Sequence, residues 1–590
     1  MTVSERLPPT LVDAVRALAA DAARGFVFVR PDGSERLCTF GEIAAEAERR
    51  GNQLAARGLR KGDRVALVIP DGDEFVLSFL GAMHAGVVPV PIYPQMSFKN
   101  IESYHDTVGH ISRASGATML LTTGATRPFV EPVLARGVGL RSIVAVEDLE
   151  GEAPAAAASV SPGDLAFLQF TSGSTSRPKG VMVTHENLAA NARAFMLHGL
   201  RRDPLIDKGV SWLPLYHDMG LIGFVVGPLF TNVPCVFMPT ASFVRSPRSW
   251  LDKISEHKGT ITYAPSFAYA LVAKRVKDRD VEGLDLSSLR VAGCGAEPIR
   301  ARALRDFAAK LAPAGFDPRA FLPSYGMAEA TLAVTFVPLG EGLRTDEIEP
   351  AALARGHARP PDAQAGADRQ ELVDCGVPFP EHELAIVDEA GQRLGERRVG
   401  QIVVKGPSIT RGYFEEPELT AQALKLLPGD ADVWLHTGDL GYVSDGRLFV
   451  CGRVKDIIIV RGRNYYPTDI EWAVGELAAV RRGNVVAFGA DFDGEEQLVV
   501  CCEAAGSEAA AIEDAARSCI AAQFGLAVHE IVISPPASLP RTSSGKPQRR
   551  KTRQMYLDGT LPRARTVQAQ APAAPAAAAA TSGDAGPAAL

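Results

Sequence analysis

Cysteine pairs and an excess of basic charge are both missing from this sequence. Its eight cysteines are scattered along 590 residues, and none stands in a CxxC pair or at metal-ligand spacing. This pattern argues against a disulfide framework or a cysteine zinc site, so we expect a reduced, cytoplasmic protein whose thiols are mostly buried. The 62 Lys and Arg residues are outnumbered by 69 Asp and Glu, for a net charge of −7. That balance gives no electrostatic footprint for nucleic acid, and we expect none as a partner.

The sequence also lacks a leader-like pattern in its first residues and a predicted uninterrupted apolar helix. The first residues include Glu5 and Asp13 and lack a basic-then-apolar order, so no signal peptide is predicted. Residues 219–244 contain no charge and are numerous enough to cross a bilayer. Because Pro228 and Pro234 interrupt them, a helix and a strand inside a core are the better prediction, and no membrane span is expected.

The chain is too long for one hydrophobic core. Strand-like apolar runs alternate with helical patterns, which favours parallel α/β sheets. The predicted strands of this alternation are residues 64–69, 87–92, 117–122, 142–146, 165–170, 210–213, 235–238, 260–264 and 289–292.

We therefore predict an α/β fold with a large N-terminal body and a mobile, small α+β C-terminal domain. The body, residues 1–452, is expected to contain two α/β halves and a small antiparallel β-subdomain, with an inserted surface element at about 335–374. The C-terminal domain is predicted at 453–562. The Ala- and Pro-rich tail, 563–590, is predicted to be a disordered linker.

Residues 169–180, QFTSGSTSRPKG, follow one of the predicted strands. Their N–H groups and hydroxyls can converge on one point, and Lys179 adds positive charge, which suits a polyphosphate. The spacing is not that of Walker A, because Pro178 precedes the lysine and Gly180 follows it. Taken alone, the stretch is also compatible with an ordinary polar loop.

Two further motifs follow predicted strands. WLPLYHDMGLIG, residues 212–223, sets His217 and Asp218 at a strand end, where ligands bind in α/β sheets. The same pair could equally cap a helix. AGCGAEP, residues 292–298, has small residues on which a flat ring could lie, although such a turn is often merely structural.

SYGMAEAT, residues 324–331, places an aromatic ring beside a carboxylate. Tyr325 could stack on a base and Glu329 could help hold Mg²⁺ against phosphate oxygens. The alternative is a core tyrosine with a helix-capping glutamate.

The last motifs lie near and beyond the predicted domain boundary. HTGDL (436–440) and GRVKD (452–456) bracket a predicted hairpin, and Asp439 and Arg453 suit contacts with ribose hydroxyls or phosphate. LPRTSSGK (539–546) ends in Lys546, which Pro547 biases toward an extended backbone.

Together the motifs TSGSTSRPKG, GAEP, SYGMAE, TGD, GRVKD and TSSGK resemble those of the adenylate-forming superfamily, over residues 10–560. Within it the chain looks most like a fatty acyl-AMP ligase. HDMGLIG, SYGMAEATL and RGRNYYPTDIE are similar to that family's motifs, and the long stretch between Tyr325 and Cys375 matches its characteristic insertion. The sequence departs from the family at Pro547 and Gln548, where isoleucine more often follows the lysine.

The resemblance implies ATP-dependent activation of a fatty acid to acyl-AMP and transfer to the phosphopantetheine thiol of an acyl carrier protein. It implies ATP and Mg²⁺ as cofactors, and Lys546, Glu329 and His217 as catalytic residues, with Glu329 also holding the metal. Lys455 matches the hinge of the small domain. The implied ATP- and AMP-binding residues are Thr171, Ser172, Gly173, Ser174, Thr175, Lys179, Gly295, Ala296, Glu297, Ser324, Tyr325, Gly326, Met327, Asp439 and Arg453.

The acyl chain is expected to lie among apolar residues of 219–226 and 263–269. Two alternatives stay open at this point. One is a fatty acyl-CoA ligase, which would use the same motifs with a different acceptor. The other is a non-catalytic regulator that binds ATP and an acyl group.

Overall fold

The computed structural model describes residues 6–94, 101–150, 159–171, 177–362, 369–460, 463–477, 480, 483–492, 495–504, 509–542 and 547–564. The predicted disordered tail therefore lies almost wholly outside the described residues. All eight cysteines are described, and seven of them are buried, in agreement with the expectation that the thiols are mostly buried.

Twenty-seven strands are assigned within the described residues. They are β1 Gly25–Val29, β2 Glu35–Thr39, β3 Arg64–Val68, β4 Val88–Pro91, β5 Met119–Thr122, β6 Ser142–Ala145, β7 Leu165–Thr171, β8 Lys179–Thr184, β9 Gly209–Ser211, β10 Cys235–Phe237, β11 Ile261–Ala264, β12 Val291–Cys294, β13 Phe321–Gly326, β14 Ala333–Phe336, β15 Thr345–Ile348, β16 Gln370–Val373, β17 Val377–Pro378, β18 Glu383–Val387, β19 Gly400–Lys405, β20 Leu424–Leu426, β21 Val433–Ser444, β22 Arg447–Arg453, β23 Ile458–Val460, β24 Arg463–Tyr465, β25 Val485–Phe492, β26 Glu495–Glu503 and β27 Val528–Ser534.

Seventeen α-helices are assigned within the same residues. They are α1 Leu11–Ala17, α2 Phe40–Ala56, α3 Gly72–His84, α4 Ile101–Ser115, α5 Arg127–Val130, α6 His185–Ala192, α7 Asp218–Leu221, α8 Gly227–Thr231, α9 Thr240–Arg245, α10 Arg248–His257, α11 Ser266–Arg275, α12 Ala301–Leu311, α13 Pro350–Leu353, α14 Pro417–Ala423, α15 Pro467–Gly475, α16 Ala509–Phe524 and α17 Arg549–Leu557. Two π-helical segments, Arg193–Gly199 and Ile222–Val226, extend α6 and α7.

The body contains two α/β sheets, as predicted, but they differ in size. One is a parallel four-stranded sheet in the order β4-β3-β5-β6. The other has nine strands in the order β17-β14-β13-β12-β11-β9-β10-β1-β2. Its strands β1, β10, β9, β11, β12 and β13 run parallel, and antiparallel strands close both edges. The α/β fold class is confirmed.

Local sequence explains much of this layer structure. Helix α2 begins at a capping box in which Thr39 and Glu42 bond each other's backbone N–H groups. Its buried residues Phe40, Ile43 and Leu54 follow helical spacing and face the core.

The prediction was wrong for strand β7, which does not continue the parallel alternation. It pairs antiparallel with β8, because the loop between them is too short for a crossover connection.

The charge-free stretch 219–244 forms α7, a π-helical segment, α8 and β10, and it is mostly buried in the body. In the part of the chain that the structure describes, no helix is both long and apolar enough to cross a membrane.

The predicted antiparallel β-subdomain is present in the order β18-β19-β21-β20, with β22 paired to β21. The inserted element packs against it. Strands β15 and β16 pair antiparallel, and the element's Ile348 and Leu353 share a buried cluster with Tyr442 and Phe449. The element is therefore anchored by a small core of its own and does not lie loosely on the surface.

The C-terminal residues form an α+β unit around the sheet β25-β26-β27. Separate apolar clusters cover its two faces, one containing Ile470 and Ile520 and the other Phe488 and Leu561. The division near Gly452 stays a prediction, since strand β22 continues past it to Arg453, which pairs with Asp439 of β21.

Candidate active site

A cleft of about 3930 Å³ lies between the body and the C-terminal residues. It brings together motifs that are hundreds of residues apart. The predicted site residues that line it are Thr171, Lys179, His217, Ala296, Glu297, Ser324, Tyr325, Gly326, Met327, Glu329, Asp439, Arg453 and Lys455. Gly295 lines an adjoining apolar cavity. Ser172, Gly173, Ser174, Thr175 and Lys546 lie outside the described residues.

The two ends of the predicted phosphate loop meet at the cleft. Thr171 of β7 stands opposite Lys179 of β8 in the antiparallel ladder, so these two ends of the loop lie side by side. His110, on α4, has its Nε2 atom 2.9 Å from the carbonyl oxygen of Pro178. Since a carbonyl oxygen only accepts, the imidazole donates this hydrogen bond and restrains the residue before Lys179.

Tyr413 connects two predicted site residues and was missed at the sequence level. Its hydroxyl donates to Glu329 Oε1 at 2.8 Å, and Lys179 Nζ lies 5.1 Å from the centre of its ring. Burial raises the pKa of Glu329, and the hydrogen bond from Tyr413 opposes that rise. Burial, together with the nearby Lys455, lowers the pKa of Lys179. No local pattern marks Tyr413, because Glu329 and Lys179 are both far from it in the sequence.

A second set of contacts joins three predicted residues. The Tyr325 hydroxyl donates to Asp439 Oδ2 at 2.8 Å, and Arg453 Nε donates to Asp439 Oδ1 at 2.9 Å. Asp439 and Arg453 are paired neighbours on β21 and β22, so the hairpin itself positions them. The carboxylate is buried and held from both sides, which orients its oxygens toward a fixed direction.

The turn after β12 requires small residues, as predicted. A Cβ atom on Gly295 would lie 2.8 Å from Ser324 Oγ and 3.1 Å from the Ser324 carbonyl oxygen. Ala296 adopts the left-handed region, with φ 67°. Glu297 is engaged with its surroundings, since its Oε1 accepts the backbone N–H of Phe267 at 2.8 Å.

His217 precedes helix α7 and pairs with its neighbour. The His217 Nδ1 atom lies 2.5 Å from Asp218 Oδ1, and that oxygen also accepts the backbone N–H of Met219 at 2.7 Å. The His217 side chain makes no capping hydrogen bond to the helix. It is 32% exposed, so it is available to a ligand in the cleft.

The apolar cavity has a free volume of about 70 Å³. Met219, Gly223, Phe224 and Tyr263 line it, as expected from the predicted acyl-binding segments. Tyr269 does not, because its hydroxyl donates to the Gly293 carbonyl oxygen inside the core. The further lining residues Phe195, Met196, Leu200 and Phe336 come from elements that the sequence did not single out. Both π-helical segments contribute to the wall, a common use of such segments.

The cavity opens onto the cleft. Six residues line both spaces, namely Asp218, Met219, Ala296, Ser324, Tyr325 and Gly326. An apolar chain in the cavity can therefore present a polar end group to the cleft.

The C-terminal unit contributes its own residues to the cleft. Thr542 and Pro547, the described residues on either side of the segment that contains Lys546, both line it. Lys455 is exposed in a single turn of 3-10 helix that follows β22.

The inserted element also touches the C-terminal unit. Gln370 Nε2 donates to Asp469 Oδ2 at 2.8 Å, and the Asn464 N–H donates to the Ala354 carbonyl oxygen at 3.3 Å. Burial raises the pKa of Asp469 to about 7.

Comparison with known proteins agrees with this geometry. The family model described as AMP-binding enzyme matches residues 16–414, and that of the Disco-interacting protein 2-like AMP domain matches residues 455–566. A Caulobacter vibrioides protein with the provisional name acyl-CoA synthetase is 39% identical, over 88% of this chain and 90% of that protein. Long-chain-fatty-acid--AMP ligase FadD26 of Mycobacterium tuberculosis is 36% identical, over 93% and 97%.

Solved structures show the same likeness. A structure from a study of fatty acyl-adenylate ligases of E. coli and L. pneumophila has 36% identity and a TM-score of 0.88, covering 94% of this chain and 98% of that one. The resemblance to the adenylate-forming superfamily, and within it to fatty acyl-AMP ligases, is thereby confirmed. With a family model over more than half of its length and relatives above 30% identity, this chain belongs to the family of AMP-binding enzymes.

Proposed function

We propose that this protein activates a fatty acid with ATP to form acyl-AMP and pyrophosphate, and then transfers the acyl group to the phosphopantetheine thiol of an acyl carrier protein. The observation that carries the first step is the shared wall between the apolar cavity and the polar cleft. An acyl chain in the cavity places its carboxylate beside the nucleotide residues.

In the first step a carboxylate oxygen attacks the α-phosphorus of ATP. The bond from that phosphorus to the bridging oxygen breaks, and pyrophosphate leaves. Positioning and charge neutralisation matter more here than covalent help. Thr171 and Lys179 would hold the β- and γ-phosphates, and Lys546 would bridge the carboxylate and the α-phosphate.

The nucleoside would lie on the other side of the cleft. Tyr325 and the Gly295–Glu297 turn would hold adenine, and Asp439 and Arg453 the ribose. Ser324, Gly326 and Met327 complete this wall.

Glu329 fits a magnesium ion. In nucleotide sites Mg²⁺ is held by one or two carboxylates together with substrate phosphates, and Glu329 is a carboxylate on the cleft wall. When bound, the ion would neutralise phosphate charge. The chain's own part is to keep this carboxylate ionised and oriented, which the Tyr413 hydrogen bond supports.

In the second step the thiol sulfur attacks the acyl carbon, the bond from that carbon to the AMP oxygen breaks, AMP leaves, and the thiol proton passes to solvent. Lys455 would act as the hinge that turns the C-terminal unit and withdraws Lys546. The hydrogen bonds of Gln370 and Asn464 hold that unit against the inserted element, and they would have to break when the unit turns.

One experiment separates the two enzymatic candidates. The purified protein is given ATP, Mg²⁺, a fatty-acid mixture, CoA and a phosphopantetheinylated carrier protein, and the products are identified by mass spectrometry. We expect acyl-AMP and acyl-carrier protein. Acyl-CoA as the main thioester would instead establish the CoA ligase, in line with the name of the Caulobacter relative.

The Lys546→Ala variant tests whether the protein is catalytic by the proposed route. It is expected to lose acyl-AMP formation by at least about 100-fold, the scale of a lost transition-state contact. Lys61→Ala is the control, because Lys61 does not line the cleft. Its Nζ atom forms an ion pair with Asp164 Oδ2 at 2.6 Å. If neither variant nor wild type releases pyrophosphate with any acid, the protein is a regulator.

A further inference from the structure

The apolar cavity is lined by a tyrosine hydroxyl for which the described residues supply no hydrogen-bond partner. Tyr263 lies on β11, one residue before the end of the strand, and it lines the cavity. Only 9% of its surface is exposed. Its hydroxyl has no hydrogen-bond partner in the described part of the chain.

Other buried tyrosines of this region are paired. The Tyr269 hydroxyl donates to the Gly293 carbonyl oxygen at 2.7 Å, and that of Tyr325 to Asp439 at 2.8 Å. Buried polar groups in native proteins nearly always have partners, and an unpaired one calls for an explanation. A missing ligand atom is such an explanation.

The Tyr263 ring is held in place and cannot turn toward a distant partner. Tyr263 stands opposite Gly293 in the β11–β12 ladder, and a Cβ atom on Gly293 would lie 2.1 Å from the ring. The ring thus packs flat on the glycine backbone. On another side it meets Phe336, with 5.8 Å between the ring centres.

The hydroxyl lies near the end of the cavity that opens onto the cleft. Ser324 lines both spaces and lies close to the Tyr263 hydroxyl. Burial raises the pKa of Tyr263, and the nearby Ser324 side chain opposes part of that rise. The Ser324 hydroxyl itself donates to the Cys294 carbonyl oxygen at 3.2 Å. Because its single proton is donated there, Ser324 cannot also donate to the Tyr263 oxygen.

We propose that the preferred substrate is a fatty acid with an oxygen substituent, a hydroxyl or keto group, on one of the first carbons beyond its carboxyl group, and that Tyr263 recognises that oxygen. This inference rests on the proposed function, since it places the carboxylate at the cleft end of the cavity. An acid without the oxygen leaves the tyrosine hydroxyl buried and unpaired, and a site built in this way discriminates against such an acid.

The test compares 2-hydroxy, 3-hydroxy, 3-oxo and unsubstituted acids of equal chain length, from eight to sixteen carbons, in a pyrophosphate-release assay. We expect kcat/KM of the wild type to be about 10-fold higher for one of the oxygenated acids than for the plain acid, as for a single paired hydroxyl. Tyr263→Phe should bring this ratio to about one, chiefly by lowering activity on the oxygenated acid.

Tyr269→Phe is the matched control, because it removes a buried hydroxyl that is bonded to the backbone. It is expected to lower the melting temperature and leave the substrate ratio unchanged. A wild-type enzyme that shows no preference for any oxygenated acid overturns the inference, even if Tyr263→Phe does not fold. So does a folded Tyr263→Phe variant with an unaltered ratio. Absence of pyrophosphate release with every acid contradicts the proposed function instead.

Discussion

Tyr413→Phe separates two contacts that one side chain makes in the cleft. The substitution removes the hydroxyl that donates to Glu329 Oε1 at 2.8 Å. It keeps the ring that lies 5.1 Å from Lys179 Nζ. The hydrogen bond stabilises the ionised carboxylate, so its loss should raise the pKa of Glu329 beyond the rise that burial already causes.

The size of the effect follows from the strength of such a bond. A hydrogen bond to a charged group contributes about 1.5 kcal/mol at the lower end of its range, and one pKa unit corresponds to about 1.4 kcal/mol. We therefore expect the pKa of Glu329 to rise by about one unit. Since the carboxylate must be ionised to hold a cation, activity is lost as the pH falls through this pKa, and the loss begins at a higher pH in the variant.

The assay is pyrophosphate release under kcat/KM conditions for ATP, measured against pH and against Mg²⁺ concentration. In Tyr413→Phe the acid limb should move up by about one pH unit, and on that limb the Mg²⁺ requirement should rise by up to about 10-fold. Tyr413→Leu, which also removes the ring, should additionally raise the KM for ATP through Lys179.

Tyr442→Phe is the control for loss of a tyrosine hydroxyl. That hydroxyl donates to Asp346 Oδ2 of the inserted element at 2.7 Å, and its removal should affect stability without moving the acid limb. An acid limb and a Mg²⁺ requirement that are identical in Tyr413→Phe and wild type would refute the assignment of Tyr413 as a positioning residue for Glu329.

Three further predictions address other parts of the site. Burial raises the pKa of Asp469 from 3.8 to about 7, so between these pH values the folded state holds a proton that the unfolded state lacks. Stability should therefore fall as the pH rises from about 4 to 7. Asp469→Asn should weaken this dependence of the unfolding free energy on pH, as measured by denaturant titrations. Met196→Ala removes three heavy atoms from the wall of the apolar cavity and should lengthen the preferred acyl chain by about three carbons, as read from the acyl-AMP species formed in an acid mixture. An unchanged length distribution contradicts the assigned acyl site. His110→Ala removes the hydrogen bond to Pro178 and should raise the KM for ATP by about 5-fold with little change in kcat. His110→Gln can still donate a hydrogen bond and should recover most of the affinity for ATP. Equal kinetics in the wild type and both variants would mean that the bond does not position Lys179.

Much of the fold was predictable because its signals are local. The capping box of Thr39 and Glu42 marks the start of α2 within four residues of sequence. Short apolar runs located most strands to within a residue or two. What they could not show is pairing, since an apolar run has the same composition whether its neighbour is parallel or antiparallel. Strand β7 was therefore assigned to the wrong kind of sheet.

The candidate site divides in a similar way. The motifs marked Thr171, Glu329, Asp439 and Arg453, because glycine, hydroxyl and charged residues cluster next to strand ends. They did not mark Tyr413, which bonds a residue 84 positions away.

The sequence by itself determined the family, the order of the elements and the chemistry of the motif residues, because each depends on residues that are close together in the chain. Only the tertiary structure decided three other features. Tyr325 bonds a carboxylate 114 residues away, and Gln370 of the inserted element bonds Asp469 of the C-terminal unit. The Tyr263 hydroxyl, in the wall of a cavity, has no hydrogen-bond partner among the described residues. The physical reason is that hydrogen bonding and burial depend on which distant side chains the packed sheets bring within a few ångströms, and that information is not contained in any local pattern.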